Sequence, residues 1–291
     1  MTDLIGLLSR RAAIASALAL AACGGTSKPA AVAKAGPMTL AQAAAGEWRT
    51  PADKVRDPWR HPVETLEFFR LSPGQKVVEF WPGAGWYTEI LAPFLSATDG
   101  KLYAADLQTN DPGEPAAAEI VAAYRRKLRA KPKLYGDVEI TAFGATSGAV
   151  APAGSADLVL FLRNVHNWMA AGIVEKAFHD AFVALKPGGI LGVEEHRGQA
   201  GMVQDVLAAD GYVQQAYVVR LAQEAGFILD KTSEINANPL DTKDHPFGVW
   251  TLPPVRRSSP RGQPDDPTFD RAKYDAIGES DRMTLRFVRP T

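Results

Sequence analysis

The segment Val77-Val78-Glu79-Phe80-Trp81-Pro82-Gly83-Ala84-Gly85 runs from a β-branched apolar stretch into a glycine turn. It is followed by helical periodicity over Tyr87–Leu95, so the local reading is strand, tight turn, helix. Glycines at such a turn let the backbone approach a ligand closely and permit positive φ. In doubly wound sheets ligands sit at the carboxyl ends of strands, where the strand order reverses. A lone Gly-x-Gly also occurs wherever a helix merely needs a tight start, so its meaning depends on what surrounds it.

Downstream, strands and helices alternate. Lys101–Leu107, Val138–Phe143, Ile190–Glu194, Phe227–Ile235 and Thr284–Val288 read as strands. Ala156–Leu162 is a continuous apolar run, as expected of a strand buried on both faces. Helices are expected at Ala116–Ala130, Ile173–Leu185 (stopped by Lys186-Pro187-Gly188-Gly189) and Tyr212–Ala225 (stopped by Gly226). The alternation predicts an α/β fold with a doubly wound, mostly parallel, seven-stranded sheet. Residues 251–270, rich in Pro, Arg, Ser and Asp, read as a surface insertion before the last strand. Upstream, Val63, Leu66 and Phe69 follow helical spacing after Pro62.

Two acidic residues give the loop chemical meaning. Glu79 ends the first strand, and Asp106 closes the second, about twenty residues beyond Gly85, the spacing of a nucleotide-binding βαβ unit. A carboxylate at Asp106 can accept both ribose hydroxyls of an adenosyl ligand. A nicotinamide-dependent oxidoreductase would share these features.

The N-terminus differs from the rest. Arg10-Arg11 precedes Ala12–Ala22, an apolar run shorter than the roughly 20 residues that span a bilayer, so residues 1–22 read as a secretory signal. The only cysteine, Cys23, follows Leu20-Ala21-Ala22, which resembles a bacterial lipobox. Cys23 is thus the expected lipidation site. It would hold the chain to the periplasmic side of a bacterial membrane, and it leaves no thiol pair for a disulfide. Ser9-Arg10-Arg11 also resembles a twin-arginine export signal. Residues 23–45, rich in Ala, Gly, Ser, Thr, Lys and Pro, read as a flexible tether, with the folded domain at 46–291. Net charge is −1, so no global positive field recruits nucleic acid, and none is expected as a partner. Oligomeric state is not readable.

The segment from about Leu71 to Arg197 resembles a class I S-adenosylmethionine (SAM)-dependent methyltransferase. Glu79, Gly83 and Gly85 match its first motif, and Asp106 matches its acidic residue after the second strand. Ser155-Ala156-Asp157-Leu158-Val159-Leu160-Phe161 matches its fourth strand, and Leu185–Gly189 the turn before its fifth. Arg60-His61-Pro62-Val63-Glu64-Thr65-Leu66, with Phe80–Tyr87, is similar to a group of exported bacterial predicted methyltransferases of unassigned substrate. The resemblance implies SAM as cofactor, contacted by Glu79, Trp81, Pro82, Gly83, Gly85, Tyr87, Asp106, Leu107, Phe143, Arg163 and Asn164. It departs at Trp81, which stands where the family's first glycine stands; Trp81 either stacks on a ligand or points into the core.

The resemblance places cofactor and acceptor contacts in Arg163–Trp168, where His166 is a candidate general base or a side chain capping the next helix. Glu195 and His196 are candidate catalytic partners at the end of the fifth strand. Alternation puts only one of Glu194 and Glu195 toward the cleft. His61 and His245 are candidates for the mouth and Tyr212 for a lid, and Trp86 and Tyr87 could pack on a sulfonium. No ligand-spacing motif supports a metal site. The expected activity is methyl transfer to a small molecule, lipid or envelope component. A lipid-anchored binding protein that kept the fold without turnover is the alternative, because SAM is made in the cytoplasm.

Overall fold

The computed structural model describes residues 38–110 and 116–291. The signal segment, Cys23 and the tether as far as residue 37 lie outside the described residues. Folded structure begins earlier than expected. Leu40–Ala45 is a helix, started by a capping box between Thr39 and Gln42, and it buries Leu40, Ala43 and Ala44. Its alanines, which suggested a tether, are small enough for close packing on the Thr88–Ala97 helix. Among the described residues no helix is long and apolar enough to cross a membrane.

Seven strands form one sheet: β1 Lys76–Phe80, β2 Lys101–Leu107, β3 Glu139–Phe143, β4 Ala156–Leu162, β5 Leu185–His196, β6 Ile228–Ser233 and β7 Arg282–Val288. Their order is β3-β2-β1-β4-β5-β7-β6. β1 to β5 run parallel, and β7 lies antiparallel between β5 and β6. The sequence turns from β1 toward β2 on one side and toward β4 on the other, which opens a crevice at the carboxyl end of β1.

Alternation along the strands divides the core between the two faces. Val78 and Phe80 of β1 join Val159 and Phe161 of β4, with Trp168 and Phe178, on one face. Val77 joins Leu158, Leu160, Leu66, Phe69 and Ile90 on the other. β5 crosses this second layer at Gly192, where an added Cβ would lie 2.5 Å from the Phe69 ring, so only glycine admits the Phe69 side chain.

Several boundaries move. β5 starts at Leu185, which pairs with Ala156; the register then slips before Leu158 meets Ile190. The expected turn Lys186–Gly189 is therefore an excursion within the strand, with Gly188 at φ 77°. The helix expected from Tyr212 begins at Gln215. Val213 N–H donates instead to His196 O (2.8 Å) and Val213 O accepts from Gly198 N–H (2.7 Å), so sheet-like pairing claims those residues. Within 251–270, Pro260–Thr268 is exposed.

Candidate active site

A cavity of about 420 Å³ opens at the carboxyl ends of β1, β4 and β5. On the β1 side Gly83 (φ 58°) has nothing within 4 Å of an added Cβ, so the loop backbone faces open space. Gly85 (φ 83°) instead sits 3.2 Å, as an added Cβ, from the Tyr124 ring; it serves helix–loop packing rather than the cavity wall. Glu79 is buried, and its Oε2 accepts from Thr88 Oγ1 at 2.6 Å. Burial pushes the Glu79 carboxyl up to about 7, against the opposing Thr88 hydrogen bond.

Toward β2 and β3 the site is closed by Trp81. Its backbone is left-handed (φ 44°), a conformation that costs a non-glycine residue roughly 1–2 kcal/mol. The indole Nε1 donates to Phe143 O at 3.0 Å, and the ring packs against Phe143 and Trp168 at 6.2 and 6.0 Å between centroids. Trp81 lines both the large cavity and a residual one of about 30 Å³ bounded by Leu107, Gln108, Phe143 and Gly144. Next to it, Asp106 is fully buried. Its Oδ1 accepts from Leu107 N–H (2.8 Å), whereas Oδ2 is sealed without a partner. Burial raises the Asp106 carboxyl to about 6.

On the β4–β5 side the chemistry is concentrated. His166, in the Val165–Ala170 helix, is buried, and its Nδ1 lies 2.9 Å from Glu195 Oε1. Glu195 also accepts from His196 N–H (2.8 Å, Oε1) and Val165 N–H (2.6 Å, Oε2). The carboxylate can only accept, so His166 Nδ1 carries the proton and Nε2 keeps its lone pair. His196 Nδ1 is 2.5 Å from Ser280 Oγ, and its ring centroid is 5.2 Å from that of His166. Burial, then the charges of His166, Arg282 and Arg163, hold His196 well below the ordinary imidazole range, so it stays neutral. His166, Glu195 and His196 offer ligand atoms within 4.8 Å of one another, a donor set suited to a transition metal. The oxygens of Glu195 are already met by three N–H donors in addition to His166 N–H at 3.4 Å, so this carboxylate is built to orient His166.

Most expected site residues converge here. Glu79, Trp81, Pro82, Gly83, Tyr87, Arg163, Asn164, His166 and His196 line the large cavity, and Leu107 and Phe143 line the small one. Others take different roles. Neither Glu194 nor Glu195 lines the cavity: Glu195 works through His166, and Glu194 Oε2 accepts from Tyr87 OH at 2.8 Å on the opposite face. The Asn164 amide donates to Trp81 O (3.1 Å) and Leu162 O (3.3 Å), tying the ends of β1 and β4 together rather than offering itself to a ligand. His61 and His245 are not at the mouth: His61 Nδ1 faces Asn236 (3.4 Å), and His245 Nε2 faces Asp241 (2.8 Å). Tyr212 is no lid; it is buried with its OH 2.9 Å from both Asp241 oxygens.

Sequence reading missed part of the wall. Arg56 and Arg60 come from the first helices, Trp250 and Pro253–Val255 from the chain before β7, and Glu279 and Ser280 from the entry into β7. Trp86 is flanked by three guanidinium groups, of Arg49, Arg56 and Arg60, at 4.9, 5.7 and 4.8 Å. The repeated arginines around Trp59 were the available signal, but nothing local says they turn inward.

No protein-family model matches the sequence, and no curated protein matches it. Solved structures do match the fold. The [4+2]-cyclase SpnF is 16% identical over 80% of each chain, with a TM-score of 0.51. A candidate methyltransferase of Bacillus halodurans is 15% identical over 80% of this chain and 100% of its own, with a TM-score of 0.50. A SAM-dependent methyltransferase of Aquifex aeolicus is 18% identical over 68% of this chain and 94% of its own, with a TM-score of 0.49. Identities this low speak to architecture alone, and SpnF, by its name a cyclase, shows that one architecture carries more than one chemistry. By its strand order, its antiparallel β7 and the likeness to SpnF and to the Bacillus halodurans protein, the chain has the fold of the class I SAM-dependent methyltransferases.

Proposed function

We propose that the chain transfers a methyl group from SAM to a small molecule, lipid or envelope component. The observation that carries this reading is the His166–Glu195 pair, held against the cavity that begins at the glycine loop of this fold. The residues fit the cofactor. The orphaned Oδ2 of Asp106 suits ribose hydroxyls, and the open Gly83 backbone suits a ligand lying close to the loop. The bound cofactor supplies an electrophilic methyl on a sulfonium. Trp81 lines the same cavity with its indole held on the Phe143 carbonyl; were the adenosyl group to lie on that side, moving the indole would cost about 1–2 kcal/mol, the size of one hydrogen bond and its aromatic contacts.

His166 does the proton work. Its Nε2, which no described residue engages, is the ring nitrogen left for an acceptor O–H or N–H. Glu195 fixes the tautomer and stabilises the imidazolium that forms. Neutral His196 beside it adds no opposing charge.

The closed Trp81 side favours a second reading, a binding protein that kept the fold without turnover. Calorimetry with SAM and its demethylated product S-adenosylhomocysteine separates the two. Micromolar binding, weakened at least tenfold in Asp106→Ala, is expected for the enzyme, since the variant removes charge-assisted hydrogen bonds. Absence of binding to the wild type would leave the scaffold reading.

A further inference from the structure

We infer that the methyl acceptor is an anion whose carboxylate or phosphate seats against Arg163. The inference rests on the methyl-transfer reading and gives its substrate class. Arg163 follows β4 and lines the large cavity. Its backbone is left-handed (φ 59°) and its N–H donates to Glu194 O at 2.7 Å, which fixes the main chain from which the side chain departs. Its guanidinium makes no ion pair and no hydrogen bond with any described residue, and Nη1 is sealed from solvent without a partner.

The neighbouring carboxylates spend their hydrogen bonds elsewhere. Arg60 Nε donates to both oxygens of Glu279 (3.0 and 2.8 Å). Arg282 Nη1 donates to Glu279 Oε2 (3.0 Å) and lies 3.1 Å from Glu194 Oε1. Three guanidinium groups thus gather around Glu194 and Glu279, and Arg163 is the one whose fork makes no hydrogen bond to either. Glu195 is committed to His166 and Glu79 to Thr88. The other cations on the wall are partnered, Arg56 by Asp53 and Lys127 by Glu89. A sealed donor without a hydrogen-bond partner is costly to keep, and arginine presents a planar fork matched to carboxylate and phosphate oxygens. The unused fork, facing the cavity, describes one missing anionic group.

The same chemistry could come from the amino-acid carboxylate of SAM itself. Position favours the acceptor. Arg163 is bonded to the β5 end, on the edge that holds His166 and His196, whereas the open backbone of Gly83 and the start of the Thr88–Ala97 helix lie at the β1 loop, where a helix N-terminus already attracts anions. Trp250, 6.0 Å from the His166 ring, and Pro253 and Pro254 give this side an apolar wall, so aromatic anions are the apt probes.

The test is calorimetry of the full chain, with and without saturating S-adenosylhomocysteine, using benzoate and phenyl phosphate, with benzyl alcohol as the neutral control. The expected result is that an anion binds in both conditions at least tenfold more tightly than the alcohol. Arg163→Met should lose roughly ten- to hundredfold in anion affinity, with affinity for the alcohol and for S-adenosylhomocysteine within about twofold of wild type. Arg163→Lys should recover part of the loss. The melting temperature and circular dichroism of Arg163→Met report its folding, and Arg163→Lys, which keeps the charge among Glu194 and Glu279, separates loss of the fork from loss of the fold. Equal binding of anion and alcohol, no binding of either anion, or an unchanged Arg163→Met would overturn the inference. So would a variant that loses S-adenosylhomocysteine while the saturated wild type refuses benzoate, since the guanidinium would then serve the cofactor. A protein that binds no S-adenosylhomocysteine sinks the methyl-transfer reading instead, and the benzoate arm without it still decides whether Arg163 holds an anion.

Discussion

Between the carboxyl ends of β2 and β3, one indole covers its neighbours and leaves about 30 Å³. Between β4 and β5, two imidazoles and an unpaired guanidinium face about 420 Å³. The first region is finished as core: Trp81 satisfies its N–H on Phe143 O and packs on two aromatic rings, and only the sealed Oδ2 of Asp106 is left wanting. The second is finished as a site, with the His166 tautomer fixed by Glu195, His196 anchored on Ser280, and ring nitrogens left over. On the proposed methyl-transfer reading, the β4–β5 side is the acceptor end, already arranged for chemistry, and the β2–β3 side is the nucleoside end, where binding would have to move the indole.

The sharpest way to break the contrast is at His166. If the acceptor end does the proton work, His166→Ala lowers kcat by roughly 10²–10⁴ and leaves S-adenosylhomocysteine affinity unchanged by calorimetry. Glu195→Gln, acting through the ring, should cost about tenfold, because an amide can turn either its oxygen or its NH2 toward Nδ1 and no longer fixes the tautomer. An unaltered rate in His166→Ala would place the chemistry elsewhere in the cavity.

The two regions were also unequally legible. The β1 loop, Asp106 and the alternation of strands and helices are local patterns, and the sheet was legible from them. At the acceptor end His166 and His196 were visible because they close strands, yet the division of labour between Glu194 and Glu195 needed the faces of β5 to be known. Arg60, Glu279 and Ser280 were invisible, since residues 219 positions apart meet only through tertiary packing. Trp81 was flagged as a departure, but sequence could not say whether an indole there stacks on a ligand or fills its place. The arginine at the head of β7 hid that strand's first residues, because a charged side chain at 1% exposure reads as loop.

Trp81 is where the contrast can be sharpened next. Trp81→Gly removes a side chain held at φ 44° and opens the nucleoside end. The spared rearrangement, about 1–2 kcal/mol, should tighten S-adenosylhomocysteine roughly five- to thirtyfold, read by calorimetry. A tenfold loss would instead mean that the indole stacks on the ligand, and the nucleoside end would count as a prepared site after all.

The smallest expected effect lies in pH. On the proposed reading ribose hydroxyls donate most strongly to Asp106 while it is ionised, and burial has raised this carboxyl to about 6 in the free protein. Ligand hydrogen bonds favour the charged form, so the group's range falls on binding, and affinity is full above about pH 6 and lost as pH drops through it. Between pH 7 and 5.5 the ionised fraction falls about fourfold for a group titrating near 6, and affinity for S-adenosylhomocysteine should fall with it. Glu79, raised to about 7, titrates in the same window, but its Oε2 is already met by Thr88. The fourfold change should therefore survive in Glu79→Gln and vanish in Asp106→Asn. If it vanished in Glu79→Gln instead, the open demand at the nucleoside end would lie at β1, and the unpartnered oxygen of Asp106 would be a cost of packing under Trp81 rather than an invitation to a ligand.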